Sequence, residues 1–232
     1  MTGIDTIMIL GLVIWAFRLF PKGHAARFGV ALSTVFIVTE ALIGAALVKF
    51  GLVVNDASPA RAAVLSLHLA NTMTLLACLT LTAWWSRRPK VRLSWIEWTS
   101  LSGVVLLGIT GALAALADTL YPVHSLAAGF AQDFDSGASF ILRLRALHPL
   151  LAAAVAMWLI HYALARSSSP SRTAKIVIAT VVVQFLVGIA NLLLLAPITM
   201  QLLHLLLADL LWIALVALCW SPAGNAASRQ SD

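Results

Sequence analysis

The chain has 232 residues, of which 61% are hydrophobic and only 10% are charged. Its mean hydropathy of +0.97 exceeds what a soluble domain of this length needs, so the composition indicates an integral membrane protein. The formal net charge of +6 is compatible with nucleic-acid binding. However, the basic residues lie in alternate loops between apolar segments, so we expect contacts with membrane lipid and no nucleic-acid partner.

Seven apolar segments follow one another along the chain. Each approaches the roughly 20 residues that a helix needs to cross a bilayer, and none shows the alternation of a barrel strand. The predicted spans are residues 4–20, 28–48, 62–85, 95–117, 140–165, 174–195 and 198–220. The sequence therefore predicts an all-α integral membrane protein with seven transmembrane helices.

The loops between these spans differ in charge. Eleven of the 15 Lys and Arg residues follow the first, third, fifth or seventh span. The intervening loops hold only Lys49, Arg61, Arg143 and Arg145. Because short cytoplasmic loops are enriched in Lys and Arg, this distribution predicts a cytoplasmic C-terminus.

Two stretches of the sequence resemble each other. Segment 40–44 (EALIG) precedes a span that carries His68, and segment 184–188 (QFLVG) precedes a span that carries His204. In both segments a polar side chain lies four residues before a glycine, on the same face of a helix. Matching polar positions in the repeats of a membrane protein often build equivalent sites.

The repeat divides the chain unevenly. An N-terminal repeat over residues 1–92 has three spans, and a C-terminal repeat over residues 93–221 has four; residues 222–232 form a predicted cytoplasmic tail. This comparison predicts a further helix before Met1. We therefore expect the remnant of an eight-helix protein built of two four-helix-bundle repeats.

Three of the six histidines lie inside predicted spans at similar depth: His68, His148 and His204. Ionisable groups at such depth are rare and usually face a site, although hydrogen bonds to the backbone are the alternative. Two imidazoles on different helices suit the axial positions of a haem, and His148 and His204 form a complete pair. Zinc is less favoured, because closely spaced additional ligands are missing.

For the other polar residues the sequence predicts no single role. Arg143 and Arg145 come shortly before His148, where they could pair with haem propionates or extend to the membrane edge. Solvated or structural roles are expected for three histidines, His24, His124 and His161. The acids inside the spans, Glu40 and Asp209, could serve a proton or substrate role or bond neighbouring helices.

With these residues in place, the chain resembles the bacterial haem A synthase family of cytochrome oxidase assembly proteins. The resemblance covers most of residues 28–220, and its segments occur in order. They are EALIGAALVKFG, LSLHLANTMTLLACL, ALADTLYP, RLRALHPLLAA, QFLVGIANLLLLAP and MQLLHLLLADLLW.

The resemblance implies a haem b in the C-terminal repeat, with His148 and His204 as ligands and Arg143 or Arg145 at its propionates. It implies a substrate haem in the N-terminal repeat, with His68 as one ligand. The implied reaction oxidises the C8 methyl group of haem O to the formyl group of haem A, for a-type oxidases. A bacterial cell-membrane location, a homo-oligomer, a haem O synthase as partner and an electron donor of unspecified kind are also expected.

Two departures from the family pattern affect these expectations. The Glu-x-x-His-Arg segment, which carries the first substrate-haem ligand and a catalytic carboxylate, is missing and is expected upstream of Met1. His148 is followed by Pro149, where many members have arginine, and a proline there should constrain the start of the helix. If residues 1–232 were the whole protein, we would expect haem b binding without substrate oxidation.

Two other functions are compatible with the sequence. A membrane cytochrome b would use His148 and His204 for electron transfer alone. A haem-free transporter or assembly scaffold would use the histidines only to join helices.

Overall fold

The computed structural model describes residues 2–53, 56–88, 91–166 and 171–222. In these ranges the regular structure is entirely helical, which confirms the predicted all-α class. The helices are α1 (Thr2–Leu19), α2 (Ala25–Lys49), α3 (Pro59–Trp85), α4 (Trp95–Leu120), α5 (Leu126–Asp133), α6 (Phe140–Ala165), α7 (Arg172–Leu193) and α8 (Ile198–Cys219).

Six of these helices are long and apolar enough to cross a membrane: α2, α3, α4, α6, α7 and α8. They coincide with six of the predicted spans, so the chain is a multi-pass membrane protein. The remaining predicted span, residues 4–20, coincides with α1, whose apolar part Ile7–Leu19 is shorter than the other six. Most leucine, isoleucine and phenylalanine side chains on α1, α7 and the first half of α8 are exposed, as expected of surfaces that face lipid.

Serine residues determine where several helices begin. Ser58, Ser139 and Ser171 each accept a hydrogen bond from a backbone amide in the first turn of α3, α6 and α7. At α4, Ser94 and Glu97 form a reciprocal capping box. Such caps satisfy amides that have no partner inside the helix, and each stabilises the helix by about 1 kcal/mol.

The chain forms two compact units, Met1–Arg92 and Leu93–Asp232. In the first unit, α2 packs against both α1 and α3. Gly29 permits the close approach of α2 to α3, because a Cβ atom at this position would lie 2.5 Å from the Thr82 hydroxyl oxygen.

The second unit contains a four-helix bundle. Helix α4 packs against α6, α6 against α7, α7 against α8, and α8 against α4. Successive helices joined by short connections run antiparallel. Helices α6 and α8 are therefore parallel and lie diagonally opposite each other across the bundle.

The connection between α4 and α6 differs from the sequence prediction. The sequence predicts a loop throughout this segment, but the structure contains the short helix α5, which packs against α6. The prediction for Pro149 is also wrong. Helix α6 begins at Phe140, so the proline lies inside the helix and does not constrain its start.

Candidate functional site

His148 and His204 lie on the two diagonally opposed helices of the second unit. His148 is on α6 and His204 is on α8, and each lies within the first three turns of its helix. Because these helices are parallel, both side chains are at the same end of the bundle.

The imidazole of His148 is held by two consecutive residues of α4. Its Nδ1 atom lies 3.1 Å from the hydroxyl oxygen of Thr110, which itself donates to the carbonyl of Leu107 at 2.9 Å. A threonine hydroxyl has one hydrogen, and the bond to Leu107 uses it, so the hydroxyl accepts from Nδ1–H of His148. This tautomer, assigned from the hydrogen bonds, leaves the Nε2 lone pair for a metal.

Gly111 provides the space for this ring. A Cβ atom at Gly111 would lie 3.0 Å from Cε1 of His148, which is tighter than nine in ten Cβ contacts in proteins. The small residue on α4 thus allows the imidazole to lie directly against the helix backbone.

His204 has an equivalent arrangement with α7. Gly188 lies beneath its ring, where a Cβ atom would be 2.9 Å from Cε1. The amide nitrogen of Gln184 lies 3.3 Å from Nε2 of His204, so the amide donates to this nitrogen. Nδ1 of His204 and Oε1 of Gln184 are buried without a hydrogen-bond partner among the described residues.

These features fit a haem held between two axial imidazoles. The histidines approach from opposite helices, a glycine makes room beside each ring, and buried polar atoms around His204 have no partner among the residues that the structure describes. Within the described ranges no group of three or more His, Cys, Asp or Glu side chains could hold a metal ion. A pair of imidazoles on facing helices is compatible with the ligands of a bis-histidine haem, whereas a zinc site commonly uses three or four protein ligands.

The two arginines predicted to pair with the haem propionates have different surroundings in the structure. Arg145 is engaged in ion pairs with Asp133 and Asp118, at 2.5 and 3.2 Å, and also donates to Gln132. Its guanidinium and the Asp133 carboxylate are each only 10% exposed. Arg143 is exposed, and its guanidinium donates to backbone carbonyls at 3.3 and 3.4 Å. Arg143 is thus more available to an anionic ligand than Arg145.

In the first unit, His68 lies beside a carboxylate. Its Nδ1 atom is 3.5 Å from Oε1 of Glu40. Gly44 lies beneath the ring, and a Cβ atom added to this glycine would be 4.0 Å from Cε1 of His68. This Nδ1 atom is buried and has no hydrogen-bond partner among the described residues, so Glu40 is placed to accept from it after a small shift. Asn71 donates to Oε2 of Glu40 at 2.5 Å, and the Thr72 hydroxyl donates to Oε1. The side chains of this repeat site thus lie together on α2 and α3.

The chain is similar to known proteins along most of its length. The family model described as cytochrome oxidase assembly protein matches residues 1–216. The chain belongs to this family. The match includes His68, His148 and His204, and it shows that the chain is related to proteins of haem metabolism.

Two curated relatives of the chain are named protoheme IX farnesyltransferase, and they come from two strains of Thermus thermophilus. Each is 40% identical over 240 aligned positions, which cover 98% of this chain. The chain spans about 40% of the length of these relatives.

The other histidines of this family member are not grouped with these three. His24 is the N-cap of α2, accepts from the Ala26 amide through Nδ1 and stacks on Phe20 with ring centroids 4.4 Å apart. His124 and His161 are exposed. Asp209 is half-buried on α8 and forms no hydrogen bond or ion pair within the described ranges.

Sequence reasoning missed a polar network at the opposite end of the second unit. Arg166 pairs with Glu97 at 2.8 Å, donates to the Tyr162 hydroxyl at 2.8 Å, and donates to the Ser221 carbonyl at 2.6 Å. The capping-box pattern Ser94-x-x-Glu97 is visible in the sequence and could have placed Glu97 at a helix start. Its pairing with Arg166 joins residues far apart in the chain and has no sequence signal.

Proposed function

We propose that this chain is an oxidoreductase of haem A synthesis, which oxidises the C8 methyl group of haem O to a formyl group. The observation that carries the proposal is the pair of imidazoles of His148 and His204 across a membrane bundle, in a chain of the cytochrome oxidase assembly family. A protein that only joined helices would have no need for a glycine beneath each ring.

In this proposal the second unit holds a haem b through Nε2 of His148 and a ring nitrogen of His204. The bound haem supplies one-electron transfer. Thr110 fixes the orientation and tautomer of His148, as partners of metal-bound histidines commonly do. If Nε2 of His204 is the ligand atom, its hydrogen bond from the Gln184 amide must break before Nε2 can bind the iron. Arg143 is placed near the start of α6, where it can meet a propionate.

The first unit holds the substrate haem O, with His68 as a ligand. Its polar side chains are concentrated around Glu40, while α1 and much of α2 expose apolar surface. Such a surface suits a substrate with a long isoprenoid tail, which is itself soluble in lipid. The two units thus serve as two related haem sites, which is the predicted repeat organisation with a boundary at residue 92.

The farnesyl-transfer reaction named for the relatives is less suited to this chain. The shared segment is under half of their length, so their name does not pass to this chain on identity alone. Transfer of a prenyl group from a diphosphate commonly requires carboxylates that hold Mg²⁺. The chain has nine Asp and Glu residues in all, and several of those at the helices are already paired with arginine.

The relatives nevertheless suggest the source of the substrate. Farnesylation of protohaem IX is the type of reaction that supplies haem O, so an enzyme of that class is the proposed partner. We further propose a bacterial cell-membrane location with the C-terminus in the cytoplasm, an oligomer of this chain, and a separate electron donor.

The decisive experiment is pigment analysis after co-expression. The chain, together with any coding sequence that precedes Met1 in frame, is produced with a haem O synthase in a bacterium that lacks haem A, and the extracted pigments are separated by chromatography and identified by mass. Haem A or its hydroxymethyl precursor is the expected product. A b-type spectrum without any oxidised haem O would contradict the enzymatic proposal and leave a membrane cytochrome b.

Variants of the purified chain test the assigned ligands separately from activity. In a His68→Ala background, which removes the proposed ligand of the first unit, His148→Ala and His204→Ala should each abolish the b-type band in reduced-minus-oxidised spectra, because each removes a proposed iron ligand. His161→Ala is the matched control on α6 and should retain the band. A band that persists in His204→Ala would refute the pairing.

A further inference from the structure

The two units place different side chains at equivalent positions beside their histidines. Glu40 on α2 faces His68 on α3, at 3.5 Å from Oε1 to Nδ1. Gln184 on α7 faces His204 on α8, at 3.3 Å between the two Nε2 atoms. Both lie four residues before a glycine beneath the imidazole. One histidine therefore meets a carboxylate, and the other meets a neutral amide.

The Glu40 carboxylate is fixed by its surroundings. Asn71 donates to Oε2 at 2.5 Å, and the same amide donates to the carbonyl of Phe36 at 2.9 Å. The Asn71 oxygen in turn accepts from the Thr39 hydroxyl at 2.6 Å, which sets the orientation of the amide. The Thr72 hydroxyl donates to Oε1. Both oxygens of Glu40 thus act as acceptors, and the carboxylate is only 20% exposed.

A carboxylate at the Nδ1 side of a ligating histidine has two effects. It accepts from Nδ1–H, which fixes the ring and directs the Nε2 lone pair at the metal. Its negative charge also makes the imidazole a stronger donor, which favours ferric over ferrous iron and lowers the reduction potential. A neutral amide that donates to the ring has neither effect.

We propose that Glu40 is a positioning residue for the substrate haem. It orients His68 toward the iron, strengthens this ligand, and gives the haem of the first unit a lower reduction potential than Gln184 allows in the second. The inference rests on the proposed function, because it takes His68 to be a haem ligand. The charge of Glu40 would thus distinguish the substrate site of the first unit from the electron-transfer site of the second, where Gln184 is neutral.

The competing role for Glu40 is that of a hydrogen-bonding link between α2 and α3. Two substitutions separate the roles. Glu40→Gln preserves size and keeps one acceptor oxygen, which can accept from Nδ1–H, but it removes the charge and the second acceptor, which faces Asn71. Glu40→Ala removes both the charge and the contact.

The test measures the haem of each unit alone in the purified, detergent-solubilised chain, with added ferric haem b as the probe. A His148→Ala/His204→Ala background leaves His68 to bind the probe, and a His68→Ala background leaves the pair in the second unit. In the first background, Glu40→Gln should raise the midpoint potential of the bound haem while the affinity stays within a few-fold. Glu40→Ala should weaken haem binding on the order of 10–100-fold.

The mirror substitution is the matched control. Gln184→Glu in the His68→Ala background should lower the midpoint potential of the haem in the second unit when His204 binds iron through Nδ1, because Nε2–H then donates to the new carboxylate. An unchanged potential in Glu40→Gln with haem bound would overturn the inference and leave Glu40 as a helix link. A His148→Ala/His204→Ala chain that binds no haem through His68 would overturn the proposed substrate site itself. Circular dichroism and size-exclusion profiles confirm that each variant is folded.

Discussion

At the scale of single residues, the glycines beneath the imidazoles limit what the site tolerates. Gly111→Ala or Gly188→Ala would place a Cβ atom 3.0 or 2.9 Å from Cε1 of the adjacent histidine, so the ring must move. We expect haem binding to weaken on the order of 10-fold or more in either variant, because ligands displaced from their geometry lose affinity. Haem titration followed by absorbance measures this loss.

Gly103 supplies a control for this prediction on the same helix as Gly111. A Cβ atom at Gly103 would lie 3.8 Å from a Val155 methyl group, an ordinary contact. Gly103→Ala should therefore bind haem like the unaltered chain. Equal effects of Gly103→Ala and Gly111→Ala would show that any alanine on α4 disturbs the bundle and that the space beside the ring is irrelevant.

Thr110 offers a second test at this scale. Thr110→Val keeps the shape of the side chain but removes the acceptor for Nδ1–H of His148, whereas Thr110→Ser keeps the hydroxyl. We expect affinity for haem to fall on the order of 10–100-fold in the valine variant and to be largely retained in the serine variant. Spectroscopic titration with haem measures the affinity of both variants. Equal affinities would show that the tautomer assigned to His148 is wrong.

The sequence predicted the three deep histidines because a polar side chain in an apolar span is conspicuous. It could not predict Thr110, since threonines are common in such helices and the contact joins residues 38 positions apart. The same limit explains Arg145. Its position before His148 suggested a propionate partner, but its acids lie on other elements and only the folded chain brings them together.

At the scale of elements, Arg145 links α5 to the neighbouring helices. Its guanidinium joins α6 to Asp133 and Gln132 on α5 and to Asp118 at the end of α4. Removal of one partner from a buried ion pair commonly destabilises a protein by about 3–5 kcal/mol, because the other charge remains unpaired. Arg145→Gln should therefore loosen α5.

Hydrogen exchange measured by mass spectrometry tests this prediction. Amide exchange in residues 121–139 should rise strongly in Arg145→Gln, and the double variant Arg145→Gln/Asp133→Asn should recover part of the protection. Protection in α7 should be unaffected in both. An unchanged exchange pattern over α5 would mean that apolar packing alone holds this helix.

The long helices were predictable and α5 was not. Spans of about 20 or more apolar residues leave few alternatives in a membrane. By contrast, α5 has eight residues, too few for a reliable periodic pattern. It is held by its Ser125 cap and by the contacts of Arg145, and the latter depend on the tertiary structure.

At the scale of the whole molecule, the charge asymmetry of the loops predicts which residues face the cytoplasm. Ser136 and Arg172 are both exposed and lie on opposite predicted sides of the membrane. Ser136→Cys should react with a membrane-impermeant maleimide in intact cells, and Arg172→Cys only after the membrane is opened. The native Cys78 and Cys219 are buried and give a low background. The reverse labelling pattern would invert the proposed topology.

The ion pairs at both ends of the second unit also bear on how a large planar cofactor enters it. Arg145–Asp118 and Arg166–Glu97 fasten α4 to α6 near each end, whereas no ion pair within the described ranges involves α7 or α8. The end of α8 is tied at Ser221 and Cys219, through bonds from Arg166 and Tyr162, far from His204. We therefore expect the α7–α8 hairpin to move more readily than the α4–α6 pair when a cofactor enters. Binding of haem should then slow amide exchange in α7 and α8 more than in α4 and α6.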